Sequence, residues 1–163
     1  MARILDGLSR IGVAVSSSKL GGIFYSVVCR RIDSVLIPLT QGRLSMGPPG
    51  QTVLLTTKGA KSGQPRKAAL AFLWQGDDMV VVASKGGSPA HPGWYHNMKA
   101  DPCVVVQHRG GIEDRIAQEA VGAERDALFT RMAEAFANFA AYQKRAANRR
   151  IPIMVLSHAR RDD

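Results

Sequence analysis

Three strand-like segments lie close together in this sequence, and their spacing limits how they can pair. Residues 52–57, 67–74 and 79–84 are rich in apolar side chains, and nine and then four residues separate them. Parallel pairing would need crossover connections of about a dozen residues or more. Gly76 and the two aspartates that follow it predict a tight turn before the third segment. The spacing therefore predicts antiparallel hairpins and disfavours a doubly wound parallel sheet.

The rest of the chain adds strands and helices to this core. Local patterns predict strands at 103–108, 112–121 and 151–156 and a helix at 124–145. Pro92 at its start and Pro102 beyond its end predict a short helix at 92–100. Glu124 and Asp126 suit the positive amino-terminal end of the last helix. A chain of 163 residues is long enough for one domain with a full core. We therefore predict a mainly β protein of the α+β class, built as a small antiparallel barrel with added helices.

The amino-terminal segment, residues 1–40, is predicted to be an amphipathic helical arm. Apolar residues recur at helical spacing through residues 1–36, and the serines at 16–18 separate an outer helix from an inner one. Basic side chains occupy the opposite face. Two interpretations stay open: the arm packs on the barrel, or it contacts an anionic membrane through residues 1–36. The barrel is assigned to residues 41–158, and residues 159–163 form a charged tail.

The expected location is the cytoplasm, with the inner face of the plasma membrane as the alternative if the arm binds lipid. No uncharged apolar run approaches the roughly 18 residues that span a bilayer. The chain also lacks the pattern of a secretory signal. Cys29 and Cys103 are too few and too scattered for a disulfide framework, which fits a reducing compartment.

Two turns that follow apolar strands carry most of the chemistry. Residues 58–67 and residues 83–93 combine cations, hydroxyls and glycines, and Trp94 and Tyr95 come directly after the second turn. This chemistry suits a phosphorylated or carboxylated ligand with an aromatic ring system. The first turn lacks the order of a Walker motif. Its alternative interpretation is a solvated hairpin loop.

The distribution of charge points to a polyanionic small ligand. The formal net charge is +9, and residues 51–112 hold seven lysines and arginines against three acids. The chain has no long run of like charges and no aromatic pattern of an RNA reader, so we predict no nucleic-acid partner. His91 and His96 are five residues apart and lack further ligands at metal spacing, so we predict no metal site.

These motifs, in this order, resemble the deazaflavin-dependent nitroreductase family, which includes the F-420H2-dependent quinone reductases. The similarity covers roughly residues 50–157. It rests on the motifs at 55–66, 82–87, 91–97 and 100–102, and on the residues at 142–143 and 151–153. The resemblance implies a split β-barrel of the FMN-binding, flavin-reductase-like type. It also implies coenzyme F-420, an 8-hydroxy-5-deazaflavin whose phospholactyl tail carries glutamates, with FMN as the alternative cofactor.

The resemblance further implies which residues form the site. The cofactor-binding residues would be Lys61, Ser62, Arg66, Lys67, Ala68, Ala69, Leu70, Val82, Ala83, Ser84, Lys85, Gly86, Trp94, Tyr95 and Asn97. The acceptor pocket would comprise Ala71, Phe136, Phe139 and Tyr142. Ser84 and Tyr142 would be the catalytic hydrogen-bond donors that polarise the acceptor oxygen. Some relatives carry tyrosine where this chain has Phe136 and Phe139, so we expect a different acceptor preference.

The activity implied is hydride transfer from reduced F-420 to a quinone, a nitro compound or an activated enone. The partner would be a small-molecule electron acceptor, and the protein would be a monomer or a weak oligomer. Two alternatives stay open. The first is an FMN-dependent reductase on the same fold, and the second is a non-catalytic protein that binds cofactor or membrane.

Overall fold

A computed structural model describes residues 31–146 and 148–159 of the chain. The predicted outer helix, its separation from the inner helix at residues 16–18, and Cys29 lie outside the described residues, as do residues 160–163. Residues 31–39 are helical (α1), so the part of the predicted arm that the structure describes has the predicted conformation. Helix α1 ends at residue 39, three residues beyond the predicted end at residue 36.

Six antiparallel strands close into a barrel in the order β1-β2-β3-β6-β5-β4. The strands are β1 Thr52–Lys58, β2 Pro65–Gln75, β3 Asp78–Val82, β4 Cys103–His108, β5 Gly111–Ala120 and β6 Ile153–His158. The three close segments form the predicted hairpins, since β1 pairs with β2 and β2 pairs with β3. The predicted fold class, a mainly β split barrel with helices, is confirmed.

Side-chain alternation along each strand separates two apolar layers. Val53 and Leu55 of β1 face the barrel interior with Leu70 and Phe72 of β2, and all four are buried. Leu54 points outward and packs with Ile37 of α1, which is 1% exposed. The period of two along a strand thus places one apolar set inside the barrel and leaves a second set for the helices to cover.

The other helices lie outside the barrel and are α2 Gly93–Ala100, α3 Gly122–Ala135 and α4 Asn138–Arg145. Leu128 and Met132 of α3 and Phe139 of α4 pack in one cluster with outward-facing residues of β3 and β6. Glu124 lies in the first turn of α3, as predicted from the helix dipole.

The predicted single helix over 124–145 is wrong, because two helices occupy this region. Phe136 has extended dihedral angles and separates α3 from α4. No glycine or proline lies in this stretch, so the apolar periodicity gave no sign of the break. The break turns α4 toward a short 3-10 helix, Lys85–Gly87, against which it packs.

A buried arginine closes the end of the barrel at which β5 begins and β6 ends. Arg115 is 1% exposed and donates hydrogen bonds to Glu113 and to the carbonyl oxygens of Asp77 and Leu156. Burial opposes ionisation of Glu113, but hydrogen bonds from His108 and Arg115 outweigh it and lower the pKa of this carboxyl. Sequence patterns place arginine in solvent, and Arg115 was therefore not predicted as a buried residue.

We expect Gly87→Ala to destabilise the fold more than Gly76→Ala. Both glycines have positive φ, 79° and 59°, so alanine at either position costs about 1–2 kcal/mol. At Gly87 the added Cβ would also lie 2.7 Å from the carbonyl oxygen of Tyr142, whereas Gly76 faces open space. Urea unfolding should therefore show an additional loss of about 1–3 kcal/mol for Gly87→Ala. Equal losses would contradict the close packing of α4 on the 3-10 helix.

Candidate functional site

Both cation-rich turns leave the barrel at the same end. In an antiparallel barrel, the end at which β1 stops and β2 starts is also the end at which β3 stops and β6 starts. We call this end the rim, and it is marked by Lys58, Pro65, Val82 and Ile153. The first turn, residues 59–64, and the second turn, residues 83–92, thus lie at one end of the barrel although strands β2 and β3 separate them in sequence.

The first turn is a compact loop held by its own backbone. Gly59 N donates to Gln64 O at 2.9 Å, and Gly63 N donates to Gly59 O at 2.7 Å. The hydroxyl of Ser62 accepts from Gln64 N at 3.3 Å and from Arg66 Nη2 at 3.4 Å. Gly63 has φ +67, and a Cβ there would meet open space. The loop therefore presents Ser62 and Arg66 together on an open surface.

The side chain of Asn97, in helix α2, holds the first turn through two hydrogen bonds. Its side chain is buried, its Oδ1 accepts from Ala60 N at 3.0 Å, and its Nδ2 donates to Thr57 Oγ1 at 2.9 Å. Helix α2 directly follows the second turn. Asn97, which was predicted to contact the cofactor, therefore makes both of these bonds inside the protein, where it joins helix α2 to the first turn.

The second turn has a strained backbone that two arginines hold. Lys85 has φ 47°, in the left-handed region that side chains other than glycine rarely adopt. Arg149 donates to the carbonyl oxygens of Ala83 and Ser84, and Arg145 donates to that of Gly86. Neither arginine was predicted as a site residue. Their separation in sequence from the turn left no local pattern that could reveal the contact.

The predicted cations surround these turns without carboxylate partners. Lys61, Arg66, Lys67 and Lys85 are exposed, and in the described ranges no carboxylate oxygen lies within ion-pair distance of any of them. Lys58 differs, because it pairs with Asp101 at 3.7 Å. The rim therefore concentrates positive charge that the described part of the protein does not neutralise, which favours an anionic ligand.

The stretch from Lys67 to Leu70 divides between two faces of the barrel. Ala68 and Leu70 pack in the interior, whereas Ala69 packs outside with Ile37. At the end of β3, Ala83 lies in the interior cluster and Val82 lies in the outer one. These predicted cofactor-lining residues thus do not share one surface, and period-two alternation explains why.

Ser84 combines burial with an available hydroxyl. The residue is 6% exposed, and its backbone oxygen accepts from Arg149 Nη2 at 2.7 Å. Its hydroxyl has no hydrogen-bond partner among the residues that the structure describes. A hydroxyl held in place and left unpaired can donate to an incoming oxygen atom.

Trp94 and Tyr95 lie side by side in sequence but have different surroundings. Trp94 is 6% exposed, and its Nε1 has no partner among the described residues. Tyr95 OH donates to Glu119 Oε2 at 3.0 Å, and its ring lies 4.6 Å from that of His91. Burial, and then the Glu119 carboxylate, raises the pKa of Tyr95. Burial, followed by the charges of Arg149 and His96, lowers the pKa of His91.

The four predicted acceptor-pocket residues pack in one apolar cluster. Phe139 and Tyr142 are buried in it, and Ala71 and Phe136 pack against it. The rings of Phe136 and Phe139 are 5.8 Å apart, edge to face, and those of Phe139 and Tyr142 are 6.0 Å apart. Tyr142 OH accepts from Asn138 Nδ2 at 3.2 Å, which leaves its own proton available.

A cleft of about 540 Å³ runs along β1, β4 and β5 and includes the rim residues Lys58 and Pro65 in its lining. Its lining includes Thr56, Cys103, Val105 and Ile116, and it reaches the first turn at Gly63. None of the predicted site residues lines it.

Within the described part of the chain, no helix has the length and apolar content to cross a membrane, and no group of three metal-ligating side chains occurs.

A family model described as F-420H(2)-dependent quinone reductase matches residues 33–158. The chain belongs to this family. The match contains all six strands, the rim and every predicted site residue. The predicted family is therefore confirmed, and the resemblance that the motifs indicated extends over most of the chain.

Two relatives from Mycobacterium tuberculosis illustrate this membership. One, named F-420H(2)-dependent quinone reductase, is 45% identical over 78 residues, which are 47% of this chain and 52% of that protein. The chain thus spans about half the length of this relative. The other is 32% identical over 108 residues, which are 66% of this chain and 90% of the relative.

Two solved structures with similar sequences support the fold. A structure of an F-420-H2 dependent reductase has 41% sequence identity and a TM-score of 0.61, and the match covers 66% of this chain and 94% of that one. A second, described as a domain-swapped dimer, has 36% identity and a TM-score of 0.64 and covers 78% of this chain and 94% of the other.

We expect Asn97→Ala to destabilise the protein by about 1–3 kcal/mol, because it leaves buried hydrogen-bonding groups unpaired. Thr57→Val removes the partner hydroxyl and keeps the shape of the side chain. In urea unfolding, the double variant should lose less free energy of unfolding than the sum of the two single losses, because both changes remove the same hydrogen bond. Fully additive losses would show that Asn97 and Thr57 are not coupled.

Proposed function

We propose that this protein is an oxidoreductase that uses reduced coenzyme F-420 to reduce a quinone. The observation that carries the proposal is the group of exposed cations around the two turns, which lack carboxylate partners among the described residues. Membership of a family described as F-420H(2)-dependent quinone reductase supports it. The relatives named for this activity supply the acceptor class.

The residues at the rim fit the chemistry of this cofactor. A phosphate and a glutamate tail need cationic and hydroxyl donors, which Lys61, Ser62, Arg66 and Lys67 supply. Gly63 and Gly86 both have positive φ and face open space, so the backbone at each turn is accessible to a ligand. The buried Trp94 Nε1 is a further donor without a partner among the described residues. We propose that Lys85 and Tyr95 complete the pocket.

Hydride donation is the chemistry that the reduced cofactor supplies when bound. We propose that the chain positions the acceptor and polarises its oxygen. Ser84 has an unpaired hydroxyl, and Tyr142 OH accepts from Asn138 and keeps a proton to donate. A hydrogen bond from either group would stabilise the charge that develops on the acceptor oxygen.

The apolar cluster favours a flat acceptor. Phe136 and Phe139 bring ring faces and edges to the pocket, and neither carries a phenolic hydroxyl. Ala71 occupies little volume beside them. We propose a quinone ring as the acceptor, with nitro compounds and activated enones as further candidates for the same pocket.

We expect the double variant Lys61→Ala/Arg66→Ala to weaken F-420 binding more than tenfold, about 1.4 kcal/mol or more. The physical reason is the loss of two cations that face the anionic tail. Fluorescence titration of the cofactor measures the dissociation constant. The matched control is Arg109→Ala/Arg131→Ala, which removes two charges that lie away from the two turns.

The control variant should bind within about twofold of the unmodified protein, since exposed charges beyond a Debye length of about 10 Å are largely screened. Equal weakening by both pairs would mean that net charge, and not the rim, binds the cofactor. Binding of FMN alone would assign the chain to the flavin branch of the fold. Binding without turnover of any quinone would favour a non-catalytic role.

We also propose that residues 1–40 bring the barrel to an anionic membrane surface. Helix α1 exposes Ile32, Val35 and Leu39, the last with 77% of its surface accessible. Arg31 and Arg43 lie beside these apolar side chains in sequence and are exposed. Apolar contact and attraction of arginine to anionic lipid act together in such interfacial helices.

Val35→Ser/Leu39→Ser should reduce sedimentation with vesicles that contain anionic phosphatidylglycerol at least fivefold. The serines remove exposed apolar surface and leave every charge in place. The matched control is Ile112→Ser/Val121→Ser, which removes two exposed apolar side chains on other surfaces. If the unmodified protein ignores these vesicles, or both variants lose binding equally, the membrane proposal is wrong.

A further inference from the structure

Arg149 holds the second turn through three backbone carbonyl groups. Its Nε donates to Ser88 O at 2.9 Å, its Nη1 to Ala83 O at 3.1 Å and its Nη2 to Ser84 O at 2.7 Å. These acceptors bracket the 3-10 helix Lys85–Gly87. A guanidinium group has five donors in a fixed plane, so one side chain can set the separation of all three carbonyls.

The segment of chain that carries Arg149 is itself held by hydrogen bonds to its backbone. Gln143 Nε2 of helix α4 donates to the carbonyl oxygen of Arg149 at 2.8 Å, and Gln143 Oε1 accepts from Ile151 N at 3.0 Å. Ala83 N donates to Pro152 O at 2.9 Å. The segment just before β6 therefore contacts the second turn through both its backbone and its Arg149 side chain.

The turn needs this support because its backbone is strained. The left-handed conformation of Lys85 is unfavourable for a residue that carries a Cβ, and such a residue persists where its surroundings determine it. Ser84 precedes Lys85 directly, and its carbonyl accepts the shortest of the three Arg149 bonds. The position of the unpaired Ser84 hydroxyl thus depends on the same contact.

Arg149 also keeps its charge unneutralised. Among the described residues no carboxylate lies within ion-pair distance of it, and its remaining partner is His91 Nδ1, at 3.1 Å from Nη1. Its hydrogen bonds go to neutral acceptors. The Arg149 guanidinium group therefore fixes the conformation of the turn and places a positive charge close to Ser84.

We propose that Arg149 is a positioning residue, which sets the second turn so that Ser84 reaches the acceptor. This inference rests on the proposed function for the role of Ser84, and on the geometry of the turn alone for the role of Arg149. Lysine at this position would keep the charge but could not span three carbonyls. Shape, and not charge, is what the reaction needs from this side chain.

The test compares Arg149→Lys and Arg149→Gln with the control Arg150→Gln. Arg150 is the exposed neighbour and pairs with Asp126 on the surface. Hydrogen exchange of the peptide covering residues 83–90, without cofactor, reports on the turn itself. Steady-state kinetics with F-420H2 and a soluble quinone such as menadione give kcat and KM. The near-ultraviolet circular dichroism and the urea midpoint report on folding.

Both Arg149 variants should exchange amides at 83–90 at least tenfold faster and lose at least tenfold in kcat, with KM for menadione changed less than threefold. Arg150→Gln should change neither. Methylguanidine added to Arg149→Ala should restore part of the activity. An Arg149→Lys variant with normal exchange and normal kcat would overturn the proposal. Faster exchange with kcat unchanged would overturn it too.

The two proposals fail in different ways. If the unmodified protein neither binds nor oxidises F-420H2, the proposed function is wrong, and exchange at 83–90 still decides whether Arg149 sets the turn. If the unmodified protein is active and exchange in the Arg149 variants is normal, the positioning role alone is wrong.

Discussion

The buried amide of Asn97 is the contact on which the geometry of the candidate site depends. Barrel closure brings the two turns to one rim, but it does not set the distance between them. Asn97 lies on the helix that follows the second turn and bonds to Thr57 and Ala60 at the first. When the oxygen and the nitrogen of one buried amide each bond a different group, those groups tolerate little movement relative to the amide. Helix α2, which continues the chain from the second turn, is therefore fixed to the first turn.

The buried and half-buried arginines and the exposed cations of the rim have separate tasks in this protein. Arg115, Arg125 and Arg149 donate to backbone carbonyls inside the fold, where a planar group with several donors can join distant segments. Apart from Lys58, the exposed cations of the rim have no carboxylate within ion-pair distance in the described part of the chain. Their mutual repulsion is a cost that an anionic ligand relieves, so the distribution of charge and the proposed cofactor support one another.

Local patterns predicted the barrel well and the long-range contacts poorly. The short connections at 58–66 and 75–78 dictated antiparallel pairing, and alternation along β1 and β2 identified the core. The break at Phe136 was missed, because no glycine or proline marks it in the sequence. The pattern within 58–67 and 83–93 identified the two turns. It could not identify Arg149, whose contacts join residues about sixty positions apart.

The most direct test of the account is a fluorescence titration of the purified protein with coenzyme F-420 beside FMN, at low and at high salt. If the rim cations form the site, F-420 should bind much more tightly than FMN. Salt should then weaken F-420 binding strongly, because the rim cations face several negative charges on its tail. Equal affinity for the two cofactors, or F-420 binding that salt does not change, would contradict the claim that the unpaired cations of the rim form the site.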